Sequence, residues 1–301
     1  MVEKIKCLLL IFVLSFLFLL PPNSAQAEKF TIVTTFTILE DFVQQIAGEK
    51  ADVRVLCPVG AEIHEWELTP QNFMDLEQAD IVFYNGLNVE QWMGQVRATI
   101  GESVPVIPVG EVCNFPTLPI VTGDFAGDPD PHIWMDVCGA IAYVRSIQNA
   151  LAEHNPGKAM IYKENAEEYI LELKKLRYEL KSILRSISTQ NRILITTEAA
   201  FVYFAKAFSF IHDGVWGTNT EEEGTPQQIK RIIQLVTDKK PQGLFWESTG
   251  SPRYMQSISE DTAIPFFGPL YVDSVGKSES RAENYIEMMR SNAILLREVL
   301  K

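Results

Sequence analysis

Four residues of metal-binding type are spread through the chain, each at the end of an extended apolar segment or in the loop beyond one. They are His64, His132, Glu198 and Asp273. Two imidazoles and two carboxylates form a suitable ligand set for a first-row divalent cation. Two of the four lie in each half of the sequence. This distribution predicts a metal ion held between two lobes.

Extended apolar segments alternate with helical ones in both halves. Strands are predicted at 30–35, 53–56, 81–86, 104–109, 192–197, 210–215, 243–247 and 264–272. Helices are predicted at 39–47, 70–78, 134–154, 158–188, 201–208, 226–237 and 282–300. Apolar strands that alternate with helices indicate parallel sheets covered on both faces. The predicted fold class is therefore α/β, with two Rossmann-like lobes, each a parallel sheet flanked by helices.

The longest helical stretch, 158–188, has apolar residues at helical spacing and charges on the opposite face. A helix of that length spans roughly 45 Å, more than a small domain needs. We interpret it as a rigid helix that joins the two lobes. The predicted organisation is a signal peptide at 1–27, an N-terminal metal-binding lobe at 28–157, the linking helix at 158–188, and a C-terminal metal-binding lobe at 189–301.

The four candidate ligands lie where this fold places a ligand, beyond the carboxyl ends of the strands. Glu198 follows a strand directly, and Asp273 ends the extended segment 264–272. His64 and His132 lie in loops. Taken singly, each residue also has a structural explanation: a solvated pair with Glu65 for His64, and a turn or helix cap for the other three. The recurrence of one location four times favours a shared site.

The N-terminus has the features of a secretory signal peptide. Lys4 and Lys6 precede the apolar run Leu8–Leu20, and Ala25-Gln26-Ala27 is a small-x-small cleavage motif. The run is short for a membrane anchor, which is the alternative. Cys7 precedes the run, so no lipoprotein cleavage site is expected. We predict a periplasmic protein, secreted by a cleavable signal peptide.

The charge balance is acidic. Removal of the predicted signal peptide leaves 24 basic and 38 acidic residues, a net charge of −14. Such a surface argues against nucleic acid or anionic lipid as a partner and is compatible with attracting cations.

Three cysteines remain after the signal peptide: Cys57, Cys113 and Cys138. They lack CxxC spacing, so neither a structural zinc site nor a redox motif is indicated. We interpret the three cysteines as buried small apolar residues, with one disulfide among them as the alternative.

Five segments resemble those of a known family. They are 60–67 (GAEIHEWE), 130–136 (DPHIWMD), 196–204 (TTEAAFVYF), 216–226 (WGTNTEEEGTP) and 271–274 (YVDS). Together they resemble the ZnuA/TroA-type (cluster A-I) metal-binding solute-binding proteins of ABC transporters. The resemblance implies two lobes joined by a rigid helix, one metal ion at their interface, and delivery to an ABC-transporter membrane permease. It also implies that His64, His132, Glu198 and Asp273 are the ligands, and it is consistent with a monomer.

The third ligand position favours manganese. Zinc-selective members tend to have His there and often carry a His-rich acidic loop, whereas this chain has Glu198 and no His in 114–131. A second carboxylate makes the site harder, which suits Mn²⁺ or Fe²⁺. Because Zn²⁺ outranks Mn²⁺ in general affinity, Zn²⁺ is expected to bind as well. The manganese-type subgroup is our prediction, and a zinc-specific uptake protein is the alternative.

Two other functions are weaker alternatives. A periplasmic metallohydrolase needs an open coordination position and a general base, for which Glu62, Glu65 and Glu67 are candidates. The chain has no HExxH or GxSxG motif. A binding protein for an organic solute would leave the four residues unexplained. His154 and His212 are expected to have surface or structural roles. The protein is therefore predicted not to be an enzyme.

Overall fold

In the described part of the chain, eight strands paired in parallel form the framework. The computed structural model describes residues 29–48, 51–218 and 224–301, so the predicted signal peptide lies outside it. Strands of the first half are β1 (Thr31–Thr34), β2 (Asp52–Val55), β3 (Ile81–Tyr84) and β4 (Val106–Pro108). They form one sheet in the order β2-β1-β3-β4, and Ile32 pairs with both Val53 and Ile81. The predicted α/β class with parallel strands is confirmed.

The strands of the second half form two two-stranded sheets. They are β5 (Ile193–Glu198), β6 (Ile211–Trp216), β7 (Leu244–Glu247) and β8 (Phe266–Leu270). Parallel pairing joins β5 to β6 and β7 to β8, and β5 packs beside β7. The pairing of β7 with β8 shifts register between Phe245 and Glu247, the last residue of β7.

Ten α-helices connect and cover these strands in the described part of the chain. They are α1 (Thr37–Ala47), α2 (Pro70–Glu77), α3 (Met93–Thr99), α4 (Val109–Val112), α5 (Val137–His154), α6 (Ala159–Leu184), α7 (Val202–Phe208), α8 (Pro226–Lys239), α9 (Arg253–Thr262) and α10 (Tyr285–Leu300). Three of them, α3, α4 and α9, were not predicted. Helix α9 buries only Met255 and Ile258, so its apolar period is too sparse to recognise.

Two helices begin at the same local motif, in opposite halves of the chain. Thr69 caps α2, and its hydroxyl accepts a hydrogen bond from the Asn72 backbone N–H while the Asn72 side chain accepts from the Thr69 N–H. Thr225 and Gln228 repeat the arrangement at α8. This arrangement is a capping box, which provides hydrogen-bond partners for backbone N–H groups at the start of the helix. In both helices a proline occupies the first helical position.

The long helix is shorter than predicted. Helix α6 has 26 residues, a length of about 39 Å, and it packs against α1, α5 and α10. Its buried face is the predicted stripe, from Tyr162 to Leu184. The helix ends early because the Arg192 guanidinium donates to the carbonyls of Leu184 (3.0 Å) and Ile187 (3.3 Å), which closes the chain onto β5.

Residues Thr31–Lys301 form one compact unit, and the predicted lobe boundaries after 157 and 188 stay predictions. Cys57, Cys113 and Cys138 are free thiols; the first two are buried and the third is half-buried. The possible disulfide among them is therefore absent. Within the described ranges, no helix combines the length and apolar character needed to cross a membrane.

Candidate metal site

The structure brings all four predicted ligands together. Each of His64, His132, Glu198 and Asp273 offers one ligand atom, and these atoms lie within 4.8 Å of one another. His132 Nε2 lies 3.6 Å from both Glu198 Oε1 and Asp273 Oδ1, and His64 Nε2 lies 3.9 Å from Glu198 Oε1. All four side chains are at most 2% exposed. Side chains this polar are rarely so buried without a compensating partner.

His64 lies in the loop between β2 and α2. The loop turns at Gly60, whose φ of +80° is readily adopted only by residues without a β-carbon. Glu62 Oε1 accepts a hydrogen bond from the His64 backbone N–H at 3.1 Å. The Trp92 indole N–H donates to the carbonyl of Ile63 at 2.7 Å. The peptide group between Ile63 and His64 is therefore held at both its carbonyl and its N–H.

A carboxylate orients His132. Asp130 Oδ1 accepts from the His132 backbone N–H at 2.9 Å and lies 3.1 Å from ring Nδ1. With the Nδ1 proton directed at Asp130, the Nε2 lone pair faces Glu198 and Asp273. Such a carboxylate behind a ligating imidazole fixes its tautomer and raises its basicity. The Tyr203 hydroxyl donates to the Asp130 carbonyl at 2.7 Å and so supports this pair.

Glu198 is the last residue of β5, whereas the sequence predicted it as the first residue after the strand. The Glu247 carboxylate accepts from the Thr197 backbone N–H at 3.1 Å and from the Thr197 hydroxyl. Gly214 on β6 allows a close approach on the other side. A β-carbon there would lie 2.7 Å from the carbonyl carbon of Glu198. The end of β5 is therefore held between its two neighbouring strands.

Asp273 lies beyond β8, in a segment without regular structure. The Trp134 indole N–H donates to the carbonyl of Val272 at 2.8 Å, and the Trp134 ring packs edge-on against His132. On the other side, Ser274 Oγ accepts from the Gly60 N–H at 2.8 Å. Both contacts come from the first half of the chain.

Burial controls the protonation of the site. It lowers the pKa of His64 to about 3, with the neighbouring His132 adding to the effect. It raises the pKa of Asp273 to about 6, against the opposing effect of His132. Burial alone would lower the pKa of His132, but Asp130 and Asp273 outweigh it and the pKa is raised. At neutral pH, His64 is therefore neutral and Asp273 is largely ionised.

The donor set fits a cation. Among the described residues, neither oxygen of Asp273 has a hydrogen-bond donor, and the Nε2 atoms of His64 and His132 have no hydrogen-bond partner. A buried carboxylate without donors is costly, and a bound cation offsets that cost. Nitrogen and oxygen atoms of this kind suit Mn²⁺, Fe²⁺ or Zn²⁺.

Two buried carboxylates near the predicted ligands were not identified from the sequence. Burial raises the pKa of Glu247 to about 8 and that of Glu90 to about 7, in spite of hydrogen bonds to both. Glu90 accepts from the Thr35 hydroxyl at 2.6 Å and from the backbone N–H of Asn85 at 2.7 Å. Glu247 ends a strand as Glu198 does, which is the signal that could have revealed it.

The other two histidines lie apart from the four. His154 is exposed at the end of α5. His212 lies within hydrogen-bonding distance of the Leu194 carbonyl (3.0 Å) and accepts from the Phe201 N–H (3.1 Å). His212 thereby links β6 to β5 and to the start of α7, a structural role as predicted.

The fold and the candidate site define a metal-binding substrate-binding protein of the kind that serves ABC transporters. Residues 32–299 match the family described as zinc-uptake complex component A, periplasmic (ZnuA). The chain belongs to this family, and the predicted resemblance is confirmed. Of the resembling segment 216–226, residues 219–223 lie outside the described structure.

Curated relatives bind different metals by their names. The iron-binding protein YfeA of Yersinia pestis is 36% identical over 267 residues, covering 88% of this chain and 85% of that protein. The manganese-binding lipoprotein MntA of Halalkalibacterium halodurans is 35% identical over 270 residues, covering 90% and 88%. Other relatives are ABC-transporter substrate-binding lipoproteins by name, and the description of the matched family places it outside the cytoplasm.

Solved structures share the fold. A Mn-bound periplasmic metal-binding protein from Candidatus Liberibacter asiaticus superposes with a TM-score of 0.81 at 25% identity, covering 91% of this chain and 100% of that one. The periplasmic zinc-binding protein TroA from Treponema pallidum gives 0.83 at 25% identity, covering 90% and 99%. The predicted arrangement of parallel sheets and one long helix is thus that of a known fold.

Proposed function

We propose that this protein captures a divalent transition metal outside the cytoplasmic membrane and delivers it to an ABC-transporter permease. The observation that carries the proposal is the set of four buried side chains whose ligand atoms lie within 4.8 Å of one another. His64, His132, Glu198 and Asp273 are the proposed ligands. The metal ion is the transported substrate.

Mn²⁺ is the proposed physiological substrate, with Zn²⁺ as a competent second ligand. Two carboxylates give the site harder donors than a three-histidine set, and carboxylates can bind through both oxygens. Zn²⁺ prefers four ligands, whereas Mn²⁺ accepts the larger coordination number that two carboxylates allow. The relatives named for iron, manganese and zinc show that the family accommodates each of these ions.

The location and assembly follow from the same reasoning. We propose that residues 1–27 are a cleaved signal peptide and that the mature chain is a soluble periplasmic monomer. Several relatives are lipoproteins by name, so anchoring through a lipid is the competing arrangement. The mass of the protein isolated from its native envelope distinguishes them. The lobes 28–157 and 189–301 are the proposed units that close on the metal.

The ligand assignment is tested by thermal unfolding with and without Mn²⁺. A ligand at one hundred times its Kd stabilises a fold by about 2.7 kcal/mol, so binding raises the Tm measurably. Asp273→Ala is expected to abolish this Mn-dependent shift, because it removes a ligand whose oxygens have no other partner among the described residues.

Asp261→Ala is the matched control, since Asp261 is an exposed carboxylate at the end of α9. It should retain the full shift. A normal shift in Asp273→Ala would show that the metal binds elsewhere. Calorimetric titration of the wild-type protein with Mn²⁺, Fe²⁺ and Zn²⁺ then tests the preference, and tight Zn²⁺ binding without detectable Mn²⁺ binding would establish the zinc-specific alternative.

We propose further that the protein has no catalytic activity. A metallohydrolase requires an open coordination position for a reactive water. One oxygen from each carboxylate and the two histidines fill the four positions that Zn²⁺ prefers, and both oxygens of each carboxylate with the two histidines fill six positions around Mn²⁺. Metal-loaded protein should not turn over ester or phosphate substrates. Turnover that depends on the metal and disappears in Asp273→Ala would overturn this part of the proposal.

A further inference from the structure

The Asp273 carboxylate can be aimed only through its backbone. Neither of its oxygens has a hydrogen-bond donor among the described residues, and the side chain is 1% exposed. Its direction is therefore set by the positions of Val272, Ser274 and Val275. What holds these three residues determines where the carboxylate lies.

A small buried hydrogen-bond cluster holds the C-terminal side of Asp273. The Thr37 hydroxyl accepts from the Val275 N–H at 3.0 Å and donates to Ser274 Oγ at 3.3 Å. Ser274 Oγ also accepts from the Gly60 N–H at 2.8 Å and donates to the Val275 carbonyl at 2.8 Å. Thr37 and Ser274 are each 1% exposed. We call Thr37, Gly60, Ser274 and Val275 the clasp.

The clasp joins distant parts of the chain. Thr37 is the first residue of α1, and Gly60 lies in the same loop as His64, between β2 and α2. Trp134, two residues after His132, holds the other side of Asp273 through the Val272 carbonyl. Asp273 is thus bonded on both sides to the segments that carry the two histidines. Glu198 is instead held by Glu247 from the second half.

We propose that the clasp is a positioning device that makes His64, His132 and Asp273 one preassembled three-ligand unit, with Thr37 and Ser274 as its positioning residues. This inference rests on the proposed function of the site. A ligand held in place before binding needs no ordering when the metal arrives. Loss of the clasp leaves all four ligands present but lets the Asp273 segment shift.

The two metals should respond differently. Zn²⁺ is commonly held by three protein ligands and a water, so a displaced Asp273 is replaced at small cost. Mn²⁺ depends more on hard carboxylate donors. A loosened clasp should therefore weaken Mn²⁺ binding more than Zn²⁺ binding. A general loss of stability would weaken both alike.

The test is Thr37→Val, which keeps the shape of the side chain and removes its hydroxyl. We expect Kd for Mn²⁺ to rise about 10- to 100-fold, as is typical when a residue that supports a metal ligand is mutated. Kd for Zn²⁺ should rise less than about threefold. Thr37→Ser, which restores the hydroxyl, should bring Mn²⁺ binding back. Thr34→Val is the matched control, because Thr34 is also fully buried and, among the residues that the structure describes, its hydroxyl donates within the first sheet, to the Arg54 carbonyl.

Ser274→Ala provides a second, independent variant if Thr37→Val does not fold. It should show the same selective loss of Mn²⁺ affinity. Equal losses for Mn²⁺ and Zn²⁺, or Thr37→Val matching Thr34→Val, would overturn the inference. Failure of the wild-type protein to bind either metal would instead overturn the proposed function, so the two failures are distinguishable.

Discussion

The two carboxylates of the candidate site are supported in different ways. Glu198 ends a strand, and its backbone lies between β6 and β7, so regular pairing fixes its position. Asp273 lies in an irregular segment, and the residues around it are held by hydrogen bonds with Trp134, Thr37 and Gly60. A strand end is rigid through many backbone contacts, whereas the irregular segment depends on a few side chains.

This difference teaches how each carboxylate should respond to change. Glu198 can tolerate the loss of one neighbour because the sheet still holds it. Asp273 cannot, since its side chain has no bond of its own among the described residues. We therefore expect Glu198 to be the place where metal identity is altered by exchange of the ligand itself, and Asp273 the place where it is altered from a distance.

The largest expected effect comes from Glu198→His. This change replaces a hard ligand by a softer imidazole on the same rigid strand end. Mn²⁺ affinity should fall on the order of a hundredfold or more, while Zn²⁺ binding persists. Calorimetric titration with both ions measures the ratio. Parallel losses of both ions would mean that the position cannot hold a histidine, and would remove Glu198 as the basis of the manganese preference.

A smaller effect is expected from acid. The proposed ligands bind a metal with His132 neutral and Asp273 ionised, and the pKa of His132 is raised while that of Asp273 is about 6. As the pH falls from 7 to 6, protons increasingly compete with the metal, and affinity should drop roughly tenfold for each proton displaced per pH unit. His64, with a pKa of about 3, stays neutral and contributes nothing in this range.

Titrations in buffers of different ionisation enthalpy report this competition directly. Proton release from Asp273 on Mn²⁺ binding should be large near pH 6 and should decline towards pH 8, because the pKa of Asp273 is about 6. An absence of proton release at pH 6 would contradict the assignment of Asp273 and His132 as ligands.

The smallest expected effect comes from the support of Glu198. Glu247→Ala removes the acceptor for Thr197 and should lower Mn²⁺ affinity by about tenfold at most. Because burial raises the pKa of Glu247 to about 8, the residue is mostly neutral at pH 7. Glu247→Gln should therefore bind Mn²⁺ almost as well as the wild-type protein. Equal losses in both variants would show that the charge of Glu247, rather than its hydrogen bonds, supports the site.

The regular part of the site was predictable from the sequence. The strand before Glu198 is continuously apolar, and Thr225 with Pro226 marks the start of α8, so strand ends and helix starts could be placed. The four ligand types at such ends then predict a site without any knowledge of distances. The same reasoning explains why the long helix was recognised, although its end at Leu184 depends on the distant Arg192.

The supports of Asp273 were not predictable in this way. Thr37 and Ser274 are 237 positions apart, and no period or local motif links them. The pairing of Thr197 with Glu247 also depends on two strands meeting side by side. Contacts of this kind follow from tertiary packing, which overrides local preference and leaves no local pattern in the sequence.

The close approach of Gly214 to the backbone of Glu198 and Ala199 limits the design of this site in another protein. The four ligands can be copied into another α/β scaffold, but the strand beside the glutamate must carry a residue without a β-carbon. Any side chain there would push against the Glu198 backbone and displace the ligand. A design that specifies the four ligand side chains must therefore also specify glycine at a fifth position, the one equivalent to Gly214.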